Sequence, residues 1–322
     1  MIETNGWHVV LGTGPLGAAV ARALARRRLR VRLLNRSGEV PELPAGVELA
    51  AGDVLRPSDA EAVMRGATVV YHCASPRYTD WERRFPPLQR AIVAAASAVG
   101  AKLVVAENLY GYGAVAGPMV ETLPLAPVSA KGRIRAELTE ELWAAHRAGH
   151  VAVAIGRGSD FFGPGVMGST VGARFFRSVL RGGPVDVLGN PDALHSYTFI
   201  DDFGEALATL GERDEALGRA WHVPTAKAVT NRQFAERAIA AASSRAKVRV
   251  VPRWLLRAVG LFTPDAREVM EVLYQFDQPF VVDDSAFCQT FAREATPLDQ
   301  SLAATVGWYR AQDSGVSGRE AR

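Results

Sequence analysis

WHVVLGTGPLGAAVARALARRR, Trp7 to Arg28, is the stretch on which the reading of the chain turns. A short apolar run rich in β-branched residues ends in glycines, and the glycines lead into a segment with helical periodicity. Gly12, Thr13, Gly14, Pro15, Leu16 and Gly17 form a G-x-G-x-x-G run. Leaving a strand and opening a helix, such a run predicts a dinucleotide site. Glycines let the backbone approach a pyrophosphate, and the helix N-terminus adds N–H donors and the positive end of its dipole. Pro15 suits a first helical turn, where its missing N–H costs nothing. A glycine-rich turn without a ligand is the plainer alternative.

Downstream the same alternation recurs. RVRLLN, VELAAGD, TVVYHCA, KLVVAEN and HVAVAIG read as strands, and PSDAEAVMRG, LQRAIVAAASAVG and ELTEELWAAHRAG as helices between them. Short buried strands alternating with helices predict an α/β fold: a Rossmann-like doubly wound parallel sheet, here with a smaller mixed α/β substrate lobe. Residues 1–165 form the dinucleotide-binding domain, with 200–224 returning to it. Residues 166–199 and 225–312 form the substrate lobe, in which TNRQFAERAIAAASS and DAREVMEVLYQF read as helices. Residues 313–322 read as a flexible polar tail.

Composition narrows the function. The chain has 322 residues, 48% hydrophobic and 22% charged, enough for a large core. The net charge of +3 is spread out, with no basic block, which argues against nucleic acid and for an anionic cofactor or substrate. No apolar run is long enough to cross a bilayer, so no membrane association is expected. Two distant cysteines and the absence of a signal-like start point to the cytoplasm. The six histidines are scattered, and no metal site is expected.

The second strand ends in Asn35, Arg36 and Ser37, where an NAD-selective chain usually has an acid. A guanidinium beside two small polar groups suits a 2′-phosphate, so the cofactor expected is NADP(H). A solvated Arg36 is the alternative. Asp53, followed by Val54, ends the third strand and could accept from an adenine amino group or cap the next helix. Cys73, Ala74 and Ser75 end the fourth strand and should line the cofactor, Cys73 as a packed residue rather than a reactive thiol.

GTGPLG, NRSG, AGDV, LVVAENLYGYG, GRGSDFFGPG, HSYTFIDDFGEAL and TPLDQSLAATVGWYR, in that order, resemble the short-chain dehydrogenase/reductase superfamily. The closer likeness is to its extended branch, the NAD-dependent epimerase/dehydratase family, over nearly the whole chain to about Arg310. The family's first fingerprint glycine falls at Leu11, with Gly12 an extra, which leaves the loop detail open. The family's catalytic serine or threonine falls at Asn108, and its Tyr-x-x-x-Lys pair at Lys131 and Arg135. All three positions are substituted. The chain therefore resembles atypical members that keep the cofactor site and lose the triad. The resemblance implies that Arg135 anchors the nicotinamide ribose or the carbonyl oxygen. Lys131 and Arg135 could instead be solvated residues of a charged helix, Arg135 pairing with Glu137 or near Glu140.

The substrate side is expected to include Tyr110, Tyr112, His195 and Tyr197, together with Phe161 and Phe162 at the end of the sixth strand. SPRYTDWERRFPP, Ser75 to Pro87, is either a flap carrying Tyr78 and Trp81 or a packed loop. Asp201 and Asp202 are expected to cap the next helix. The leading expectation is an NADPH-dependent ketoreductase working without the usual tyrosine acid, the proton coming from substrate or water. The Ala/Arg-rich composition and the missing tyrosine resemble reductases of aromatic polyketide tailoring that act on an angucyclinone-type ketone. A nucleotide-sugar epimerase or dehydratase and a non-catalytic NADP-binding sensor are the alternatives. The helices LQRAIVAAASAVG and ELTEELWAAHRAG lie where related proteins dimerise, so a homodimer is also expected to be open to the chain.

Overall fold

The computed structural model describes residues 6–40, 42–252, 254 and 270–317. Seven strands form one parallel sheet. In chain order they are β1 (Trp7–Leu11), β2 (Arg30–Asn35), β3 (Val47–Ala51), β4 (Ala67–His72), β5 (Lys102–Glu107), β6 (Val153–Arg157) and β11 (Ala220–His222). Their spatial order is β11-β6-β5-β4-β1-β2-β3, with the reversal of winding between β1 and β4. Leu11 pairs with both Leu34 and His72, and His72 with Val105. The C-terminal ends of the central strands are thus level, and the loops leaving them share one crevice.

The strands are buried on both faces, which is why they read as continuous apolar runs. On one face α1 (Pro15–Arg26) and α6 (Ile200–Glu212) cover Val10, Val31, Leu33, Tyr71 and Val104. On the other, α2 (Pro57–Met64), α3 (Trp81–Ala98) and α4 (Ala130–Arg147) cover Val9, Leu34, Val70, Leu103 and Val153. Alternate residues of each strand serve opposite layers, as the two-residue strand period requires.

The smaller lobe has its own core. It is built from α5 (Ala173–Leu180), α7 (Asn231–Ala241) and α9 (Leu298–Ser317), with Phe162, Phe176, Phe234, Leu302 and Tyr309 fully buried among them. Short strand pairs join it to the sheet: β7 (Asp160–Phe162) with β10 (Tyr197–Phe199), β12 (Val229–Thr230) with β9 (Leu194–His195), and β13 (Lys247–Val250) with β8 (Pro184–Val187). A further helix, α8 (Ser285–Phe291), packs Phe287 and Phe291 against Trp221 of β11.

Four details differ from expectation or fall outside it. First, α3 begins at Trp81 rather than near Leu88, despite Pro86 and Pro87 within it. Trp81 and Phe85, one turn apart, are 3% and 1% exposed against Tyr110 and Leu138, and that burial outweighs the backbone bonds the prolines forgo. Second, Asp201 and Asp202 lie in the first turn of α6 but do not cap it. Asp201 pairs with Arg22 at 2.6 Å, and Asp202 accepts from the N–H and hydroxyl of Thr296. Third, α9 continues to Ser317, into the segment read as a tail. Fourth, most of the helix expected over Asp265–Phe276 lies outside the described residues; within them Met270 and Glu271 are helical and, after two turn residues, a single helical turn covers Tyr274–Asp277.

Candidate active site

The loop after β1 divides its work among three glycines. Gly12 adopts φ +103°, and a Cβ on it would lie 2.9 Å from the backbone of Ala74 at the end of β4. Its N–H is donated to Leu34 O at 3.0 Å. A Cβ on Gly17 would lie 1.9 Å from Gly12 O, so α1 can approach the loop only with glycine there. Gly14, in contrast, has nothing within 4 Å of the Cβ position. Gly14 is also the N-cap of α1, and no side chain caps that helix. The N-cap of α1 thus leaves room for a ligand beside the first turn, where a helix N-terminus favours an anion such as a pyrophosphate. Leu11 at the family's first glycine position is simply the last residue of β1, and Gly12 makes the turn in its place.

At the end of β2, Asn35 ties the loops together. Its amide donates to Thr13 Oγ1 at 3.1 Å and Glu39 O at 2.7 Å, while its Oδ1 accepts from Gly38 N at 2.6 Å. Ser37 Oγ accepts from Glu39 N. Arg36 is exposed and has no ion pair or hydrogen bond among the described residues. Asp53 Oδ1 accepts from Leu55 N, closing a turn, and the N-cap of α2 is Arg56, so the capping role does not apply. Val54 packs against the outer core. Cys73 packs beside the α1–α6 core, and burial pushes its thiol up to about 12, out of nucleophile range. Ser75 is exposed and donates to Pro76 O.

Helix α4 carries the substituted catalytic pair. Ser129 caps it, accepting from Gly132 N at 3.0 Å, which places Lys131 in the first turn and Arg135 one turn on. Neither is solvated: they are 4% and 8% exposed. Lys131 Nζ pairs with Glu271 Oε2 at 2.8 Å, and Glu271 Oε1 accepts from the Lys131 backbone N–H at 2.7 Å. The guanidinium of Arg135 lies against the rings of Trp81 and Phe85, 4.7 and 4.4 Å from their centres. No oxygen accepts from it among the described residues, and its Nε is buried without a partner. Pairing with Glu137 or Glu140 does not occur. Arg135 is thus a buried cation held by aromatic faces, with donors left for a ligand. Asn108 Oδ1 accepts from Tyr110 N at 3.2 Å, so its amide donors remain where the family's hydroxyl stands.

The aromatic residues divide sharply. Tyr78 and Tyr110 meet hydroxyl to hydroxyl at 3.1 Å, and Tyr78 is 45% exposed. Tyr112 instead belongs to a buried chain. Arg157 donates to Glu107 at 3.0 Å and to Tyr112 Oη at 2.7 Å, and Thr139 donates to Glu107 at 2.8 Å. Tyr112 Oη lies 2.9 Å from His222 Nε2, and His222 Nδ1 lies 2.9 Å from Asp283 O. A carbonyl accepts only, so Nδ1 carries the proton and Tyr112 donates to Nε2. Burial, with the charge of Arg157 nearby, keeps His222 below its ordinary value, consistent with that neutral ring.

His195 is fully buried between Phe276 and Phe280, with Gln275 O on one nitrogen and Asp160 Oδ2 on the other, at 3.1 and 3.0 Å. It is not free to turn toward a substrate. Phe162 and Tyr197 sit in the core of the smaller lobe, where Tyr197 donates to Asn231 Oδ1 at 2.7 Å, and Phe161 packs on the α1–α6 core. The cleft groups are therefore Tyr78, Tyr110, Asn108 and Arg135.

Sequence reasoning missed Glu107, Arg157, Asp160, His222 and Glu271. Glu107 and Arg157 did leave a signal: opposite charges close the apolar runs of neighbouring strands and stand paired in register. Among the described residues no group of three or more His, Cys, Asp or Glu could hold a metal ion, and no helix is long and apolar enough to cross a membrane.

This fingerprint loop, sheet order and triad position converge on a match of residues 9–223 to the NAD dependent epimerase/dehydratase family. The chain belongs to the NAD dependent epimerase/dehydratase family. Among curated proteins, none matches the sequence directly. An epimerase from Methanothermobacter thermautotrophicus is similar in structure, with a TM-score of 0.81 at 17% identity over 97% of this chain and 94% of that one. A UDP-glucose 4-epimerase from Thermotoga maritima, solved with UDP-glucose, gives 0.77 at 17% identity, covering 95% and 99%. The Thermus thermophilus UDP-glucose 4-epimerase, solved with NAD, gives 0.74 at 21%, covering 94% and 99%. At these identities the likeness establishes the fold: a Rossmann-like seven-stranded parallel sheet with a smaller mixed lobe. An NAD(P) cofactor is typical of epimerase/dehydratase family members.

Proposed function

We propose that the chain uses NADP(H) to reduce a ketone to a secondary alcohol. The observation that carries this reading is the state of α4. Lys131, at the position of the family's tyrosine, is bound to Glu271, and no phenol stands on that helix. Epimerisation and dehydration take a proton from a substrate hydroxyl, and α4 has no phenol to accept it. Reduction needs only a bound ketone, a hydride and a proton source.

Gly14 and the first turn of α1 would hold the pyrophosphate, Arg36 the 2′-phosphate, and Arg135 with Asn108 the nicotinamide ribose or the carbonyl oxygen. When bound, the nicotinamide supplies the hydride. The chain orients the ketone, and Arg135 opposes negative charge developing on its oxygen. The exposed ring of Tyr78, backed by the buried Trp81, offers one aromatic face to a substrate, and an aromatic polyketide ketone is the substrate proposed within the ketone class.

Conversion of a nucleotide-linked sugar is the second reading. The names of the similar solved structures support it more strongly than they support ketone reduction, and the altered α4 weighs against it. The two separate in one experiment. NADPH or NADH is mixed with a panel of aromatic ketones, and in parallel NAD is mixed with UDP-glucose and related nucleotide sugars. Ketone-dependent loss of NADPH supports the first reading. Interconversion of the sugars with no net change in cofactor supports the second. Tight NADPH binding with neither reaction leaves a binding protein.

A further inference from the structure

The proton required for reduction has an evident source in the fold, away from α4. Tyr78, in the loop after β4, and Tyr110, in the loop after β5, place their hydroxyls 3.1 Å apart. Tyr110 is 7% exposed and Tyr78 45%, so the pair runs from the interior to the surface. Tyr78 is propped against the ring of Trp81, 4.9 Å between centres, the same Trp81 that bears on Arg135. Lys131 Nζ lies 5.5 Å from the centre of the Tyr78 ring. The residues at the family's tyrosine and lysine positions therefore both bear on this tyrosine from α4.

We propose that Tyr78 is the catalytic acid of this chain, with Tyr110 as its hydrogen-bond partner. The assignment rests on the ketone-reduction reading. A reduced nicotinamide held by the β1–α1 loop would supply hydride to the carbonyl carbon, and the C=O π pair would move to oxygen. That oxygen would take the Tyr78 hydroxyl proton, the buried Tyr110 hydroxyl would donate a hydrogen bond to the phenolate left behind, and solvent at the exposed Tyr78 would restore the proton. The sum is NADPH, a proton and a ketone giving NADP and a secondary alcohol.

The electrostatics keep both hydroxyls protonated at neutral pH. The hydroxyl of Tyr78 is held above the ordinary phenol value by burial and by the charge of Asp160 on β7, against the pull of the Tyr110 hydrogen bond and of Arg135. Tyr110 lies higher still, through burial and through Tyr78 and Asp160. Both are therefore phenols at neutral pH. Arg135 on α4 stabilises the phenolate formed by proton transfer. The buried side-chain amide of Gln275 lies beside Tyr110 and works against the rise in its phenol value.

The test is Tyr78→Phe and Tyr110→Phe in the full chain, with NADPH and whichever ketone the wild-type protein reduces. Tyr78→Phe is expected to lower kcat about 10²–10⁴-fold, the usual contribution of a general acid, with KM and NADPH affinity within a few-fold of wild type. Wild-type kcat should stay flat through the neutral range. Its residual value in Tyr78→Phe should fall as pH rises, because the proton then comes from solvent. Tyr110→Phe should give a smaller loss in kcat. Independently of turnover, ultraviolet titration should show one fewer late-ionising phenol in each variant. A Tyr78→Phe protein with wild-type kcat and pH profile overturns the assignment and leaves substrate or water as the donor. A wild-type protein that binds NADPH and reduces no ketone overturns the reduction reading itself, and the acid assignment with it.

Discussion

Lys131 Nζ and Glu271 Oε2 lie 2.8 Å apart, and the same carboxylate accepts from the Lys131 backbone N–H. One acid thus neutralises a buried ammonium and satisfies an orphan donor of the first turn of α4. The position that in related enzymes carries a catalytic phenol is, in this chain, a structural joint to the segment at 271.

That joint has a pH signature. Burial would raise Glu271, but the Lys131 hydrogen bonds and charge outweigh it and hold the carboxyl below its ordinary 4.5. A lowered folded-state value contributes stability above the unfolded value and loses it as pH falls through the folded one. Glu271→Gln should therefore be less stable than wild type at pH 7, by about 0.5–1.5 kcal/mol once solvent screening is allowed for. The gap should close as pH drops below 4.5. Urea unfolding across pH checks it; a constant gap down to low pH would count against the ion pair.

The fingerprint glycines should separate binding from folding. Gly14→Ala meets nothing in the protein, so its Tm should match wild type while NADPH affinity falls about tenfold, the loss of one or two N–H contacts. Gly17→Ala would put a methyl 1.9 Å from Gly12 O and should unfold at markedly lower temperature. Thermal melts and cofactor fluorescence titrations read both.

Cofactor preference should rest on Arg36. A charged hydrogen bond to a 2′-phosphate contributes about 1.5–3 kcal/mol, so Arg36→Ala should weaken NADPH binding about 10- to 100-fold. NADH affinity should hardly change. Equal loss for both nucleotides, or for neither, would assign Arg36 to the solvated surface.

The Glu107–Arg157–Tyr112–His222 chain should behave as a stability element. Arg157 and Glu107 are almost fully buried, so Arg157→Leu should cost about 3–5 kcal/mol by stranding the carboxylate. Tyr112→Phe should cost about 1–3 kcal/mol, since Arg157 and His222 each lose a partner. In both, cofactor affinity should be retained in whatever fraction stays folded; denaturant melts and titrations measure the two quantities.

Fold and cofactor loop were legible in the sequence because their signals are local. β1, α1 and Gly12–Gly17 occupy twenty consecutive residues, and their periodicity and glycine spacing need no knowledge of the rest. The functional side of the cleft was legible only in part. Tyr78 and Tyr110 meet across 32 positions, and Lys131 and Glu271 across 140, contacts that no local pattern encodes. Tyr112 and Tyr197 read as cleft tyrosines beside Tyr110, yet their hydroxyls find Arg157 and His222 in one case and Asn231 in the other. Trp81 and Phe85 start a helix within the stretch read as a flap or a packed loop, because tertiary burial outweighs the prolines that follow.

The most direct measurement of the central claim is the fate of hydride. The protein is incubated with a ketone and NADPH deuterated at the transferring position of the nicotinamide. The account predicts oxidised cofactor and an alcohol carrying the deuterium on its carbinol carbon, in equal amounts. An unlabelled product, or nucleotide sugars interconverted while the nicotinamide pool stays unchanged, would contradict it.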